Sequence, residues 1–181
     1  IKKAGLIGLL GGFVMSFGFI AFVFAMMNTS VANVVFTIST QTMFLALFGY
    51  FYLKEKISLI GLLSIILAMM GISIMINDSV SSGTLFGNLL ALTIPISFSI
   101  YVMILRKNSN LDLIPAIWYA SIFSILYSLV MVDSFSFTNN DIFMGFLLGV
   151  PQLTFGFVCI TIGSRTTKSI TIGLLMLTET I

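Results

Sequence analysis

The sequence predicts an all-α membrane protein, a multi-pass helical bundle. Three observations carry this reading: long uncharged apolar runs, basic residues confined to one side, and an internal repeat. Of the 181 residues, 59% are hydrophobic and only 8% charged. A soluble domain of this size needs more charge on its surface.

The apolar runs, in order, are 4–27, 31–53, 57–76, 84–105, 114–132 and 142–162, with a seventh from about 170 to Ile181. The six complete runs are 19–24 residues long and carry no charge. At ~1.5 Å per residue, each spans a hydrocarbon core of ~30 Å as a helix. The first run is too long for a signal peptide and lacks a small-residue cleavage site. The seventh, at 12 residues, is too short to cross.

Charges separate by side. Lys2, Lys3, Lys54, Lys56, Arg106, Lys107, Arg165 and Lys168 all fall in the tail or in alternate gaps, and the other gaps hold only Asp78, Asp133 and Asp141. The positive-inside rule therefore places loops 54–56, 106–113 and 163–169 in the cytoplasm. Basic pairs at helix ends meet anionic headgroups, so the partner they imply is the lipid bilayer and not nucleic acid.

Composition also argues against an enzyme. Histidine is absent and Cys159 is the only cysteine, which removes the usual general base, the Ser–His and Cys–His pairs and most zinc sites. No Gly-rich phosphate loop and no acidic metal cluster is present. No catalytic residue, metal or cofactor is expected, and Cys159 reads as a packing residue.

Shifted by 138 positions, segment 9–43 lies over 147–181 without a gap, with nine identities in 35 positions. Leu9-Leu10-Gly11 meets Leu147-Leu148-Gly149, Phe17-Gly18-Phe19 meets Phe155-Gly156-Phe157, and Thr29, Thr40 and Thr42 meet Thr167, Thr178 and Thr180. The first run maps onto the sixth, five spans later, so the copies cross in opposite directions. Inverted-topology repeats of this kind build many secondary transporters. Completing the repeat gives two five-helix halves, a ten-helix 5+5 molecule of which this chain is a part.

Polar residues within the runs are costly in lipid and therefore informative. Glu179 lies eleven residues past Lys168, about 16 Å deep as a helix. There it can carry a proton or face a cationic group of a substrate. Its repeat mate Gln41 continues a stripe of Asn33 and Thr37 at i, i+4, i+8, a face turned to a pathway or to a neighbouring helix. Pro151 and Gln152 lie between Gly149 and Gly156; Gln152 faces a cavity or satisfies the carbonyl that proline frees. Pro95 and Pro151 each read as a kink or a hinge. Tyr50, Tyr52 and Trp118 read as an interfacial belt, with stacking of Trp118 and Tyr119 on substrate as the alternative. Glu55, between two lysines, reads as a solvated helix-end charge. Gly8 with Gly12, Gly145 with Gly149, and the ladder Ala116, Ala120, Ser124, Ser128 read as close-packing faces.

The stretch TSVANVVFTISTQTMFLALFGYFYLKEKISLIGLLSIILAMMGISIMI, with Glu55-Lys56 in a short turn and Gly71 late in the next helix, resembles the end of the first half of EamA-like proteins of the drug/metabolite transporter (DMT) superfamily. GNLLALTIPISFSIYVMILRKNSN, with Gly87 at its start and Arg106-Lys107 at its end, resembles the helix opening the second half. LLMLTETI resembles the start of that family's Glu-Pro helix. The family usually has proline just after the positions of Gln41 and Glu179; Thr42 and Thr180 stand there, which removes the usual cause of a helix break.

The resemblance implies a chain running from the third to the ninth helix. Residues 1–76 would be the last three helices of the first repeat, 77–83 an extracytoplasmic linker, and 84–181 the second repeat, truncated in its fourth helix. It implies a secondary-active transporter of the bacterial inner membrane, often an exporter, of small metabolites such as amino acids or drug-like compounds. Protons are the coupling ion that Glu179 suggests. The alternative is a non-transporting scaffold or assembly subunit.

Overall fold

The computed structural model describes residues 2–57, 59–82, 84–131, 136 and 138–177. Its helices are α1 (Gly5–Asn28), α2 (Val31–Ser39), α3 (Gln41–Leu53), α4 (Leu59–Ser82), α5 (Leu85–Lys107), α6 (Pro115–Met131), α7 (Asn139–Leu147), a π-helical stretch (Leu148–Thr154), α8 (Phe155–Gly163) and α9 (Ser169–Leu177). Among the described residues, four stretches are long and apolar enough to cross a membrane: Gly5–Asn28, Val31–Leu53, Leu85–Lys107 and Asn139–Gly163. The chain is an all-α, multi-pass membrane protein. Helix α6 is shorter, at 17 residues, and the 132–135 segment that follows lies outside the described residues.

Helix α1 packs on α5 and α6 by way of glycine. A Cβ on Gly12 would lie 2.6 Å from the Ala116 carbonyl oxygen and 2.8 Å from the Ala120 nitrogen. Ala116 and Ala120 are buried, so the first half of the small-residue ladder does what its spacing predicts. Lipid is as apolar as leucine, so such close van der Waals contact is a main source of helix association in a bilayer. Ser128, at the far end of the ladder, is exposed. Helix α5 lies at the centre: Phe98, Tyr101, Val102 and Leu105 share a core with Met15, Leu45 and Ile172.

The second span is broken at Thr40, although no proline is present. Thr40 N–H bonds to the Thr37 carbonyl at 3.1 Å and Met43 N–H to the Thr40 carbonyl at 2.9 Å, a tightened i−3 turn. Thr37 Oγ1 donates to the Asn33 carbonyl at 2.7 Å and Thr40 Oγ1 to the Thr37 carbonyl at 2.6 Å. Such back-bonding from threonine bends helices. Here it takes the place of the missing proline.

Two further departures concern the ends of elements. Residues 77–82, expected as linker, continue α4 to Ser82. No proline or glycine interrupts the stretch between Gly71 and Gly83, so backbone bonding carries the helix past its apolar length. Lys2–Lys3 and Leu111–Asp112 form a short parallel strand pair, β1 and β2, which no pattern in the sequence announces.

The segments carrying the basic residues meet at one end of the bundle. Strand β1 pairs with β2, Arg165 Nη2 lies 3.3 Å from Asp112 Oδ1, and Arg106 pairs with Glu55. At the other end, Thr29 Oγ1 donates to Asn88 Oδ1 at 2.6 Å and Asn33 Nδ2 lies 3.3 Å from the same oxygen. That tie closes the α1–α2 turn onto the start of α5.

Candidate functional site

The polar stripe of the second span divides into two environments. Asn33 is half-buried and held by Thr29 and Asn88, so its amide ties helices together. Thr37 is fully buried, with its hydroxyl on the backbone. Gln41 opens α3 just after the break and is 5% exposed. Beside it, Thr42 Oγ1 donates to the Gly173 carbonyl at 3.0 Å, across to α9. A Cβ on Gly173 would lie 2.8 Å from Thr42 Cα, so glycine is what allows this crossing. Glu179 lies outside the described residues, six positions beyond Gly173.

The remaining predicted residues do not gather around Gln41. Trp118 is 73% exposed near the basic end of α6, as an interfacial aromatic would be. Tyr50 and Tyr52 are likewise exposed at the end of α3. Tyr119 packs over Gly8 and Gly12 of α1, so its ring is engaged with that helix. Gln152 and Pro151 are exposed within the π-helical stretch. Proline offers no N–H to the preceding turn, and there Thr154 Oγ1 donates to the Gly149 carbonyl, five residues back, at 2.8 Å. Pro95 is buried and α5 runs through it as α-helix. One turn later Ser99 Oγ is buried with no partner among the described residues. Cys159, expected as packing, is exposed on α8.

Several contacts in the middle of the bundle were not foreseen. Phe19 and Phe157 meet edge to face, with ring centroids 5.3 Å apart at 82°. These two residues are mates in the 138-residue repeat. Phe98 of α5 adds a third ring, 6.2 Å from Phe157. Tyr101 Oη lies 2.9 Å from Thr161 Oγ1, which in turn donates to the Phe157 carbonyl at 2.7 Å. The interior is thus aromatic and hydroxyl-lined, with α1, α3, α5, α8 and α9 converging on it. The repeat alignment held the signal for the Phe19–Phe157 pair; nothing in the sequence signalled the Tyr101–Thr161 bond.

Glu55 is also placed differently from its sequence reading. It is not a free solvated charge: it pairs with Arg106, and both side chains are largely buried. Lys54, in the left-handed conformation at φ 55°, turns the chain so that Glu55 N–H bonds back to the Gly49 carbonyl at 3.1 Å.

Among the described residues, no cluster of His, Cys, Asp and Glu could hold a metal. No curated protein and no solved structure matches the chain. The model of the EamA-like transporter family matches residues 1–77. That segment covers α1, the broken α2–α3 span and most of α4, including the Glu55 turn. Over residues 1–77, less than half of its length, the chain is similar to the EamA-like transporter family.

Proposed function

We propose that the chain is part of a secondary-active carrier, an exporter of small metabolites such as amino acids or drug-like compounds, working by alternating access. The observation that carries this reading is the Phe19–Phe157 contact. Two repeat mates can touch only where the repeat axis passes between them, so the contact supports two halves folded about one axis. The seam between α3 and α9, which belong to runs that align in the repeat, supports the same axis. In transporters of this construction the substrate site lies at the repeat interface near the midplane. On this reading the substrate site is assigned to the buried Gln41 and Thr42 together with Phe19, Phe98 and Phe157.

In this reading the halves are 1–76 and 84–181, the membrane is the bacterial inner membrane, and the basic face is cytoplasmic. Glu179 exchanges the coupling proton; Gln41, its mate, supplies a fixed dipole; Pro95 and the π-helical stretch at Pro151 absorb bending. A π-helical turn around a proline is a frequent device at moving sites.

The test is accumulation against pH in proteoliposomes of the full-length protein. Glu179→Gln should abolish proton-driven accumulation while leaving exchange without a gradient. Gln41→Glu should shift the pH profile by adding a second titratable group. Equal accumulation and an unchanged profile in Glu179→Gln would remove Glu179 from the coupling mechanism.

A further inference from the structure

At the basic face, one cluster joins segments from both sides of the half boundary. Arg106, in the last turn of α5, pairs through Nη1 with Glu55 in the turn after α3. The same Nη1 donates to Ser169 Oγ at 2.7 Å, and Ser169 N–H, at the start of α9, donates to Glu55 Oε2 at 3.2 Å. Ser169 is fully buried. A Cβ on Gly49 would lie 2.9 Å from Glu55 Oε2 and 3.2 Å from Ser169 Cβ, so glycine gives α3 its close approach to α9 here.

Each partner sits where a helix end favours its charge. A cation suits the C-terminus of α5, and a carboxylate suits the N-terminus of α9. Thus the first half caps a helix of the second. The Arg106 and Glu55 side chains keep 16% and 20% of their surface exposed, beside the headgroup layer. Once separated, both can be rehydrated, so parting them costs far less than parting a sealed ion pair. The tie at the opposite end is different: it is neutral, and its Asn88 is fully buried.

We propose that Glu55, Arg106 and Ser169 form a latch that holds the basic face shut, and that it parts when the molecule opens to that side. The latch rests on the alternating-access reading. Its residues do not touch substrate; they set which face is closed.

The test reads access and not transport. Ala46, Glu55, Lys56, Ile57, Lys168 and Ile170 line a cavity of about 180 Å³ beside the latch. In the full-length protein with Cys159 and any further cysteine changed to serine, Ala46→Cys supplies a single buried thiol. A membrane-impermeant maleimide is applied from the basic face without substrate. Glu55→Gln and Arg106→Gln should each raise the labelling rate roughly fivefold or more, the scale of a lost charge-assisted contact. The exchange Glu55→Arg with Arg106→Glu should return the rate only part of the way to that of the parent: it restores the ion pair but puts each charge at the helix end that disfavours it and removes the acceptor for Ser169 N–H. Unchanged rates in both single variants, or an exchange variant as fast as the singles, would overturn the latch. Faster labelling in a protein that moves no solute would keep the latch and sink the transport reading.

Discussion

Gly11 and Gly18 on α1 occupy the same repeat positions as Gly149 and Gly156 on the α7–α8 span. A Cβ on the first pair would meet Ala116 Cβ at 3.6 Å and Ser97 Cβ at 3.4 Å; on the second pair it would meet nothing within 4 Å. The starts of the two spans are held differently as well. Ala4, ahead of α1, offers no side-chain cap and is buried, whereas Thr138 and Asp141 close a full capping box on α7. One copy is fixed by its neighbours and the other by its own local bonds. Glycine spacing therefore marks a face built for close approach, while the neighbours decide whether that approach is made. On the ten-helix reading, the mates of α5 and α6 cover Gly149 and Gly156.

Gly12→Leu gives the largest effect that this contrast predicts. Its side chain would press on the backbone of α6 at Ala116 and Ala120, costing about 3 kcal/mol or more. Thermal unfolding in detergent, or loss of monodisperse protein, reads this out. Gly149→Leu in the full-length protein is the sharper case. If further helices cover that face, the substitution costs about 1–3 kcal/mol. A full-length protein as stable as its parent would mean that lipid covers Gly149, against the ten-helix reading. Thr138→Ala is smaller still. It removes the bond from Asp141 N–H at 3.2 Å and should cost about 1 kcal/mol, seen as faster amide exchange confined to the first turn of α7.

The spans were legible because hydrophobic length sets them directly. The run at 31–53 matches Val31–Leu53 at both ends, and 84–105 falls within two residues of Leu85–Lys107. What lay hidden is non-local or depends on detail below the level of hydropathy. The break at Thr40 comes from hydroxyls bonding their own backbone, a choice that threonine does not announce in a sequence. Residues 77–82 are polar yet lack a breaker, so their composition suggested a loop while their backbone continued the helix. Glu55 reads as a surface charge until Arg106 and Ser169, 51 and 114 positions away, are seen beside it. At the candidate site, the order is mixed. Gln41 is buried inside the bundle, while Trp118 is exposed on its surface. Asn33 serves a helix tie, and the Phe19–Phe157 contact needed the fold to bring two distant copies together.

Whether the repeat is inverted is the claim on which the rest depends, and thiol labelling tests it most directly. Ser30 follows the end of α1, Asn140 lies in the first turn of α7 and Thr166 follows the end of α8; all three are exposed. In intact cells carrying the full-length protein with Cys159 and any further cysteine changed to serine, an impermeant maleimide should label Ser30→Cys and Asn140→Cys from outside. Thr166→Cys should react only after the membrane is opened. Equivalent segments would then run in opposite directions across the bilayer. Labelling of Ser30→Cys and Asn140→Cys from opposite sides would contradict the account.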